Sequence, residues 1–356
     1  MLKIDNYIKK HRLQISELIK GKTIIYLDTN HWLNLRDQNR ESEPNKRILL
    51  DIIIELSDSG KCIFPISEIT FWEFLKQSDL ETLKETSVLV DRLSKGISMI
   101  NSDERRILEF THFYYKNTGQ DTFELNELIW TKLPLILGYE SIAKLKTKEL
   151  QKSFFDFVSN TTLLDIITNI YKDGVIEKSF SFKDDIKTLN QEKQKYANEN
   201  NSFKQIFLSE LGGYLNYYQG VFNDVIYNIF LKKNKSEFSQ KEKDSIGKKN
   251  SFKNFIYNGF KLNKLTTELP VFRIVPELFA SARWNKNRIF SDGNDTLDFI
   301  HASFALPYCD YFFTEGDLKS MIRQTKLDEL YGCHVESKQK NIIEELIKIK
   351  TLCNKT

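Results

Sequence analysis

Along the first twenty positions, Ile4, Ile8, Ile15, Leu18 and Ile19 recur at helical spacing with Lys, Glu and Gln between them, and Gly21 follows. That single apolar stripe predicts an amphipathic helix ending near Gly21. The pattern then changes. Thr23-Ile24-Ile25-Tyr26-Leu27 is a short apolar run rich in β-branched residues, stopped by Asp28-Thr29-Asn30, and it predicts a buried strand. Leu49, Ile52, Ile53 and Leu56 mark one face of a helix, with a turn at Ser57-Asp58-Ser59-Gly60. A second short strand is expected over 62–67. A helix over 68–77, opened by a Ser67 cap, carries Ile69, Phe71, Trp72, Phe74 and Leu75.

From about position 82 to 264 the periodicity is helical, with no convincing alternation of strand and helix. The strongest predicted helices cover 125–139, 145–170 and 203–231, with breaks at Gly138, Asp173-Gly174 and Gly212-Gly213. Segment 232–249 holds seven lysines against three acids and is expected to be an exposed loop or linker. Strand-and-helix character returns near the C-terminal end, as a helix over 298–306 and a buried strand over 310–314. Two separated pieces therefore read as one α/β domain. The expected fold is a parallel sheet flanked by helices, with a large, mostly α-helical insertion. Its parts are 1–81 and 266–356 for the sheet domain and 82–265 for the insertion.

Composition narrows the class more than the function. Of 356 residues, 40% are hydrophobic, enough for a buried core. The 14 Gly, 6 Pro and 4 Cys exclude collagen-like, Pro/Gly-rich disordered and disulfide-scaffold chains. Cys62, Cys309, Cys333 and Cys353 form no CxxC pair, which argues against structural zinc and for reduced thiols. Lys3, Asp5, Lys9, Lys10 and Arg12 interrupt any apolar leader, and no run reaches membrane-spanning length. The expectation is a cytoplasmic, unanchored protein. The net charge of +3 is no signature of a histone-like phosphate binder. Segment 232–249 alone contributes seven minus three, or +4, so the remainder is slightly acidic.

Ligands of open α/β sheets bind beyond the carboxyl ends of the strands, which makes acids there candidates for chemistry. Asp28 follows the first strand and either caps the next helix or faces a cleft. Glu73 lies amid large apolar residues and either edges solvent or points into the cleft. Glu68, in the first turn of the same helix, is adequately explained by the helix dipole. Asp295 and Asp298 are three apart and share a helix face if the helix begins by Asp295. Asp295 reads equally as a cap. Asp317 follows the last strand and either caps the next helix or joins the set. Carboxylates brought together repel unless a cation lies between them, and an all-oxygen set suits Mg²⁺ or Mn²⁺.

Three segments carry a resemblance. They are Ile25-Tyr26-Leu27-Asp28-Thr29-Asn30, then Ile66-Ser67-Glu68-Ile69-Thr70-Phe71-Trp72-Glu73, and Asp298-Phe299-Ile300-His301-Ala302-Ser303-Phe304-Ala305-Leu306 followed by Phe312-Phe313-Thr314. In this order they resemble the PIN-domain family of metal-dependent ribonucleases, over roughly a third to two fifths of the chain. The resemblance implies that Asp28, Glu73 and Asp298 are metal-site residues, with Thr29 or Asn30 shaping the loop. It further implies Mg²⁺ or Mn²⁺ as cofactor, RNA as substrate, and endonucleolytic hydrolysis. Family members commonly place Asp two residues after the Thr that ends the last strand. Here Gly316 stands there, with Glu315 before it and Asp317 after, so the fourth acid is either of these.

Residue spacing does not distinguish RNA from DNA. Arg283, Lys286 and Arg288, with Arg273 earlier and Trp284 among them, could hold phosphates and stack a base, or form a solvated face with one packed Trp. His301, one turn from Asp298, pairs with that acid, approaches substrate, or is a buried hydrogen-bonded histidine. The helical insertion is a candidate for selecting substrate or binding a protein partner, and a toxin or defence role is compatible with such a nuclease. Two other readings stay open. One is an RNA-binding or protein-interaction module that no longer cleaves, supported by the altered stretch 314–317. The other is a metal-independent ribonuclease resembling the HEPN family, with Arg106 and His112 as its pair, although Ile107 stands where that family usually has a polar residue.

Overall fold

Strands β1 (Thr23–Leu27), β2 (Cys62–Ile63), β3 (Ile97–Met99), β4 (Trp130–Lys132), β5 (Tyr311–Phe313) and β6 (His334–Glu336) form two sheets. The computed structural model describes residues 4–77, 79–172, 183–196, 202–234, 239, 241, 251–290 and 294–353. The larger sheet is all parallel in the order β2-β1-β5-β6. Ile25, Tyr26 and Leu27 of β1 pair with Tyr311, Phe312 and Phe313 of β5. Helices cover both faces, which is why β1 shows no polar alternation. Tyr26, Phe312 and Val335 enter one core, with Ile274, Leu278, Phe299, Ala302 and Ile322. Ile25, Leu27 and Phe313 enter the other, with Trp32, Leu35, Ile53, Val90 and Leu346. Successive residues of one strand thus serve opposite cores.

The first helices are α1 (Asp5–Ile19), α2 (Thr29–Asn39), α3 (Pro44–Asp58), α4 (Glu68–Leu75), α5 (Leu80–Ser94) and α6 (Ser102–Asn117). A third core, made by α6 and the helices Phe203–Tyr217, Gln219–Asn234, Ser251–Lys261 and Pro270–Trp284, buries Phe110, Phe113, Phe207, Leu211, Phe260 and Phe272. The helix Pro270–Trp284 is a shared wall. Its Ile274 and Leu278 face the sheet core while Phe272 and Val275 face the helical one.

A small parallel sheet flanked by helices within a mostly α-helical chain is therefore the observed architecture, as the hydrophobic pattern implied. Several elements differ. The helix expected over 125–139 is a turn of helix (Leu125–Leu128), then β4, then a 3₁₀ turn (Leu133–Leu135). Pro134, which lacks an N–H and falls in that turn, is one reason a helix does not run through. β3 and β4 pair antiparallel, and a parallel bridge from Ile66 to Ser98 joins them to the main sheet's edge. Segment 145–170 splits into Lys148–Ser159 and Leu163–Lys172, and 203–231 breaks at Tyr218, whereas Gly212 and Gly213 lie inside a helix. The second strand is only Cys62–Ile63, since Pro65 has no N–H to continue a ladder. β6 went unpredicted. Asp173-Gly174 and most of 232–249 lie outside the described residues.

The expected boundary at 81/82 cuts through a continuous core, because Leu83, Leu89, Val90 and Leu93 of α5 pack with Ile25 and Phe313. Among the described residues, no helix is long and apolar enough to cross a membrane.

Candidate active site at the strand ends

Asp28 ends β1 in extended backbone and caps α2, its side chain accepting from the His31 N–H at 3.1 Å. It is buried nonetheless. Thr29, the first helical residue, donates its hydroxyl to Oε2 of Glu73. The same oxygen lies 2.8 Å from His301 Nε2. His301 is 2% exposed, and its Nδ1 lies 2.7 Å from the Tyr26 hydroxyl. That hydroxyl in turn contacts Ser67 Oγ at 2.5 Å and Thr70 Oγ1 at 3.1 Å. Ser67 stands at the expected cap position of α4, but its hydroxyl makes no cap bond there and instead serves Tyr26. Asp298 precedes His301 by one turn on the helix Asn294–Ala305, on the same face.

The electrostatics follow from this packing. Burial raises the Asp298 carboxyl to about 7. His301 opposes that rise, and Asp28, Glu315 and Glu73 add to it by repulsion. Burial pushes Glu73 up as well, but the hydrogen bond and charge of His301, then Thr29, bring it below the usual carboxylate value. His301 is the mirror case. Burial disfavours its charge, yet the hydrogen bond and charge of Glu73, with Asp28 and Asp298, hold it above an ordinary histidine. The two shifts agree on an imidazolium–carboxylate pair. Among the described residues, no Lys or Arg forms an ion pair with Asp28, Glu73 or Asp298. The cluster therefore carries more negative charge than His301 neutralises.

Other candidates fall elsewhere. Asp295 is buried in an ion pair with Arg288, whose other guanidinium nitrogen lies 3.6 Å from Asp317. Asp295 is thus neither an unpaired carboxylate nor part of the cluster, and Asp317 is 86% exposed. Glu315 is exposed, accepts from the Asn30 amide, and its charge acts on Asp298. Asn30 is therefore a loop organiser. Glu68 accepts from the Ser102 N–H at 2.7 Å and tethers the start of α6. Arg283 is paired with Glu210, Lys286 is exposed, and Trp284 is packed edge-on to Phe203 while half exposed. Arg288 is bound to Asp295 and Asp317, both outside the cluster.

Arg106 and His112 share no site. Arg106 pairs with Asp103 and lies over the Tyr218 ring at 4.2 Å, whereas His112 contacts Thr122 Oγ1 at 2.9 Å and the Phe123 ring. Six residues apart on one helix, they point about 120° away from each other. Arg106→Ala and His112→Ala are expected to leave any nuclease rate within about twofold of wild type, measured on labelled RNA; loss in either would revive the metal-independent reading.

Sequence reasoning missed Tyr26, Ser67 and Thr70. Only Tyr26 carried a signal, since a tyrosine in a strand buried on both faces needs a partner for its hydroxyl. As a donor set, Asp28, Glu73, Asp298 and Glu315 suit a hard divalent cation: all oxygen, and more negative charge than His301 offsets. Among the described residues, no three His, Cys, Asp or Glu side chains stand close enough to grip an ion as placed. The chemistry of the set fits, while its side chains are spread. No protein-family model, curated protein or solved structure matches the chain.

Proposed function

We propose that the chain is a Mg²⁺- or Mn²⁺-dependent nuclease that hydrolyses RNA phosphodiesters at this cluster. The observation that carries the reading is a cation-poor set of carboxylates, from buried Asp28 through half-buried Glu73 and Asp298 to exposed Glu315, beside the carboxyl ends of adjacent parallel strands, where open α/β sheets bind ligands. Asp28, Glu73 and Asp298 would hold the ion, with Glu315 at the rim. When bound, such an ion lowers the pKa of an attacking water and neutralises charge on the phosphate. Asp28 is held by its cap bond, so its carboxylate is oriented before substrate arrives. RNA as the substrate rests on the family resemblance.

A protein partner for the helical part belongs to the same proposal. It is supported by Leu150, Phe154 and Phe157, which are exposed on one face of the helix Lys148–Ser159. So does a cytoplasmic location, where RNA is found and where the reduced cysteines read from the sequence are expected.

The test is incubation of purified protein with labelled single-stranded RNA and DNA in Mg²⁺, Mn²⁺ or EDTA. The expected result is metal-dependent cleavage of RNA that Asp28→Asn reduces by about 100-fold, the scale on which loss of a metal-site group acts. Equal cleavage in EDTA would overturn the metal mechanism. Binding of RNA without cleavage under every condition would leave a binding module.

A further inference from the structure

Both hydrogen bonds that Glu73 accepts, from Thr29 Oγ1 and His301 Nε2, fall on Oε2. Oε1 receives no hydrogen bond from the described residues, and the side chain keeps 17% of its surface exposed. One oxygen of the carboxylate is thus fixed and the other is offered. His301 cannot tilt to release Oε2, because its second nitrogen is engaged by Tyr26, whose hydroxyl is itself held by Ser67 and Thr70. The chain Ser67/Thr70–Tyr26–His301 runs from the buried strand β1 to Oε2 of Glu73, with the Tyr26 hydroxyl and both His301 nitrogens engaged.

We infer that Tyr26 and His301 are positioning residues that orient Glu73 so that its Oε1 is presented to a divalent cation. This rests on the reading of the site as a cation site. It also reassigns His301: a side chain 2% exposed with both nitrogens occupied does not contact substrate. The physical gain is pre-organisation. A glutamate has three rotatable bonds, and fixing them in advance spares the ordering cost when the ion binds. Hydrogen-bond partners that orient a ligating group typically change metal affinity 10–100-fold when removed.

The experiment measures Mn²⁺ affinity directly, by isothermal titration and by the electron paramagnetic resonance signal of free Mn²⁺, on the full chain without substrate. His301→Ala is expected to weaken binding by about 10–100-fold. His301→Gln, whose amide can place an N–H near the lost Nε2, is expected to recover most of that loss, a rescue that a merely space-filling role would not produce. Tyr26→Phe removes one hydroxyl and nothing else, and keeps the test valid if the alanine variant fails to fold; it is expected to weaken Mn²⁺ about 10-fold. Wild-type affinity in both Tyr26→Phe and a folded His301→Ala would overturn the inference while leaving the cation site intact. No Mn²⁺ binding by the wild-type chain would overturn the site and the inference together, so the two failures are told apart.

Discussion

Asp298→Asn is expected to abolish metal-dependent cleavage and, at the same time, to stabilise the metal-free protein at neutral pH. The first effect follows from removing a ligand and is expected to be 100-fold or more. The second follows from linkage. In the folded chain the carboxyl sits at about 7, against an ordinary value of 3.8. Below about pH 4 the group is protonated in both states and contributes nothing. Between about 4 and 7 the unfolded chain releases the proton while the folded chain keeps it, so stability falls as pH rises. Above about 7 the penalty is complete. A gap of this size corresponds to something on the order of 3 kcal/mol. Glutamate 73 and His301 titrate as a pair whose strength also declines once the imidazolium loses its proton, because a histidine with a raised folded value stabilises fully only below its unfolded one. The variant separates the two. Urea unfolding in EDTA at pH 5 and pH 8 should show a wild-type loss of stability that is much reduced in Asp298→Asn. Added Mn²⁺ should stabilise the wild type but not the variant. A variant less stable than wild type at pH 8 would show that Asp298 is a structural acid.

The residues of the proposed site differ in how far the sequence shows them. Asp28 and Asp298 stand at the edges of apolar stretches and Glu73 inside one, and a residue that violates its surroundings is visible without a structure. The same logic failed for Asp295 and Asp317, since acids at helix starts break no rule and Arg288 pairs with both. No local pattern chooses between Glu315 and Asp317, and the Asn30 that holds Glu315 lies 285 positions away. Tyr26 looked like any other strand residue, and its partners lie 41 to 275 positions away in sequence, a distance that no periodicity reaches.

The fold divides similarly. β1, α3, α4 and β5 announce themselves because burial on both faces, or a wide apolar stripe, is a local property of sequence. β3, β4 and β6 are three residues each, like β5, but read Ile-Ser-Met, Trp-Thr-Lys and His-Val-Glu where β5 is an unbroken aromatic run, so no apolar run marks them. Their existence is decided by partners elsewhere: Met99 pairs with Trp130 and Phe313 with Glu336. Helix α5 meets the same limit: it has the amphipathicity of any helix, and only its place in the core that holds Ile25 and Phe313 ties it to the sheet.

Arg105 carries the second large effect, because it ties the helical core to the helix that bears Asp298 and His301. It is wholly buried on α6, donates to the carbonyl and hydroxyl of Ser303, and stacks 3.7 Å from the Phe304 ring centroid. Its counter-charge is Glu109, one turn along, which accepts from the Val271 N–H at 2.9 Å and from the Tyr308 hydroxyl at 2.8 Å. Burial raises the Glu109 carboxyl, and Arg105 is the first influence that opposes the rise. Arg105→Met fills similar volume but leaves that carboxylate with only the weaker influence of the Arg106 charge. Breaking one side of a buried pair costs about 3–5 kcal/mol, and this loss is expected at pH 8. At pH 5 it should shrink, since a folded carboxyl raised further still takes up a proton that the unfolded chain does not hold as tightly. Arg105→Met combined with Glu109→Gln removes both charges and should recover most of the stability, because replacing a buried pair entirely is often near neutral. Mn²⁺ affinity is the functional readout. Losing the Ser303 anchor frees the helix that positions Asp298 and His301, so the double variant should fold well yet bind Mn²⁺ several-fold more weakly. Wild-type Mn²⁺ affinity in that variant would confine Arg105 to stability and place the rigidity of the site in the sheet alone.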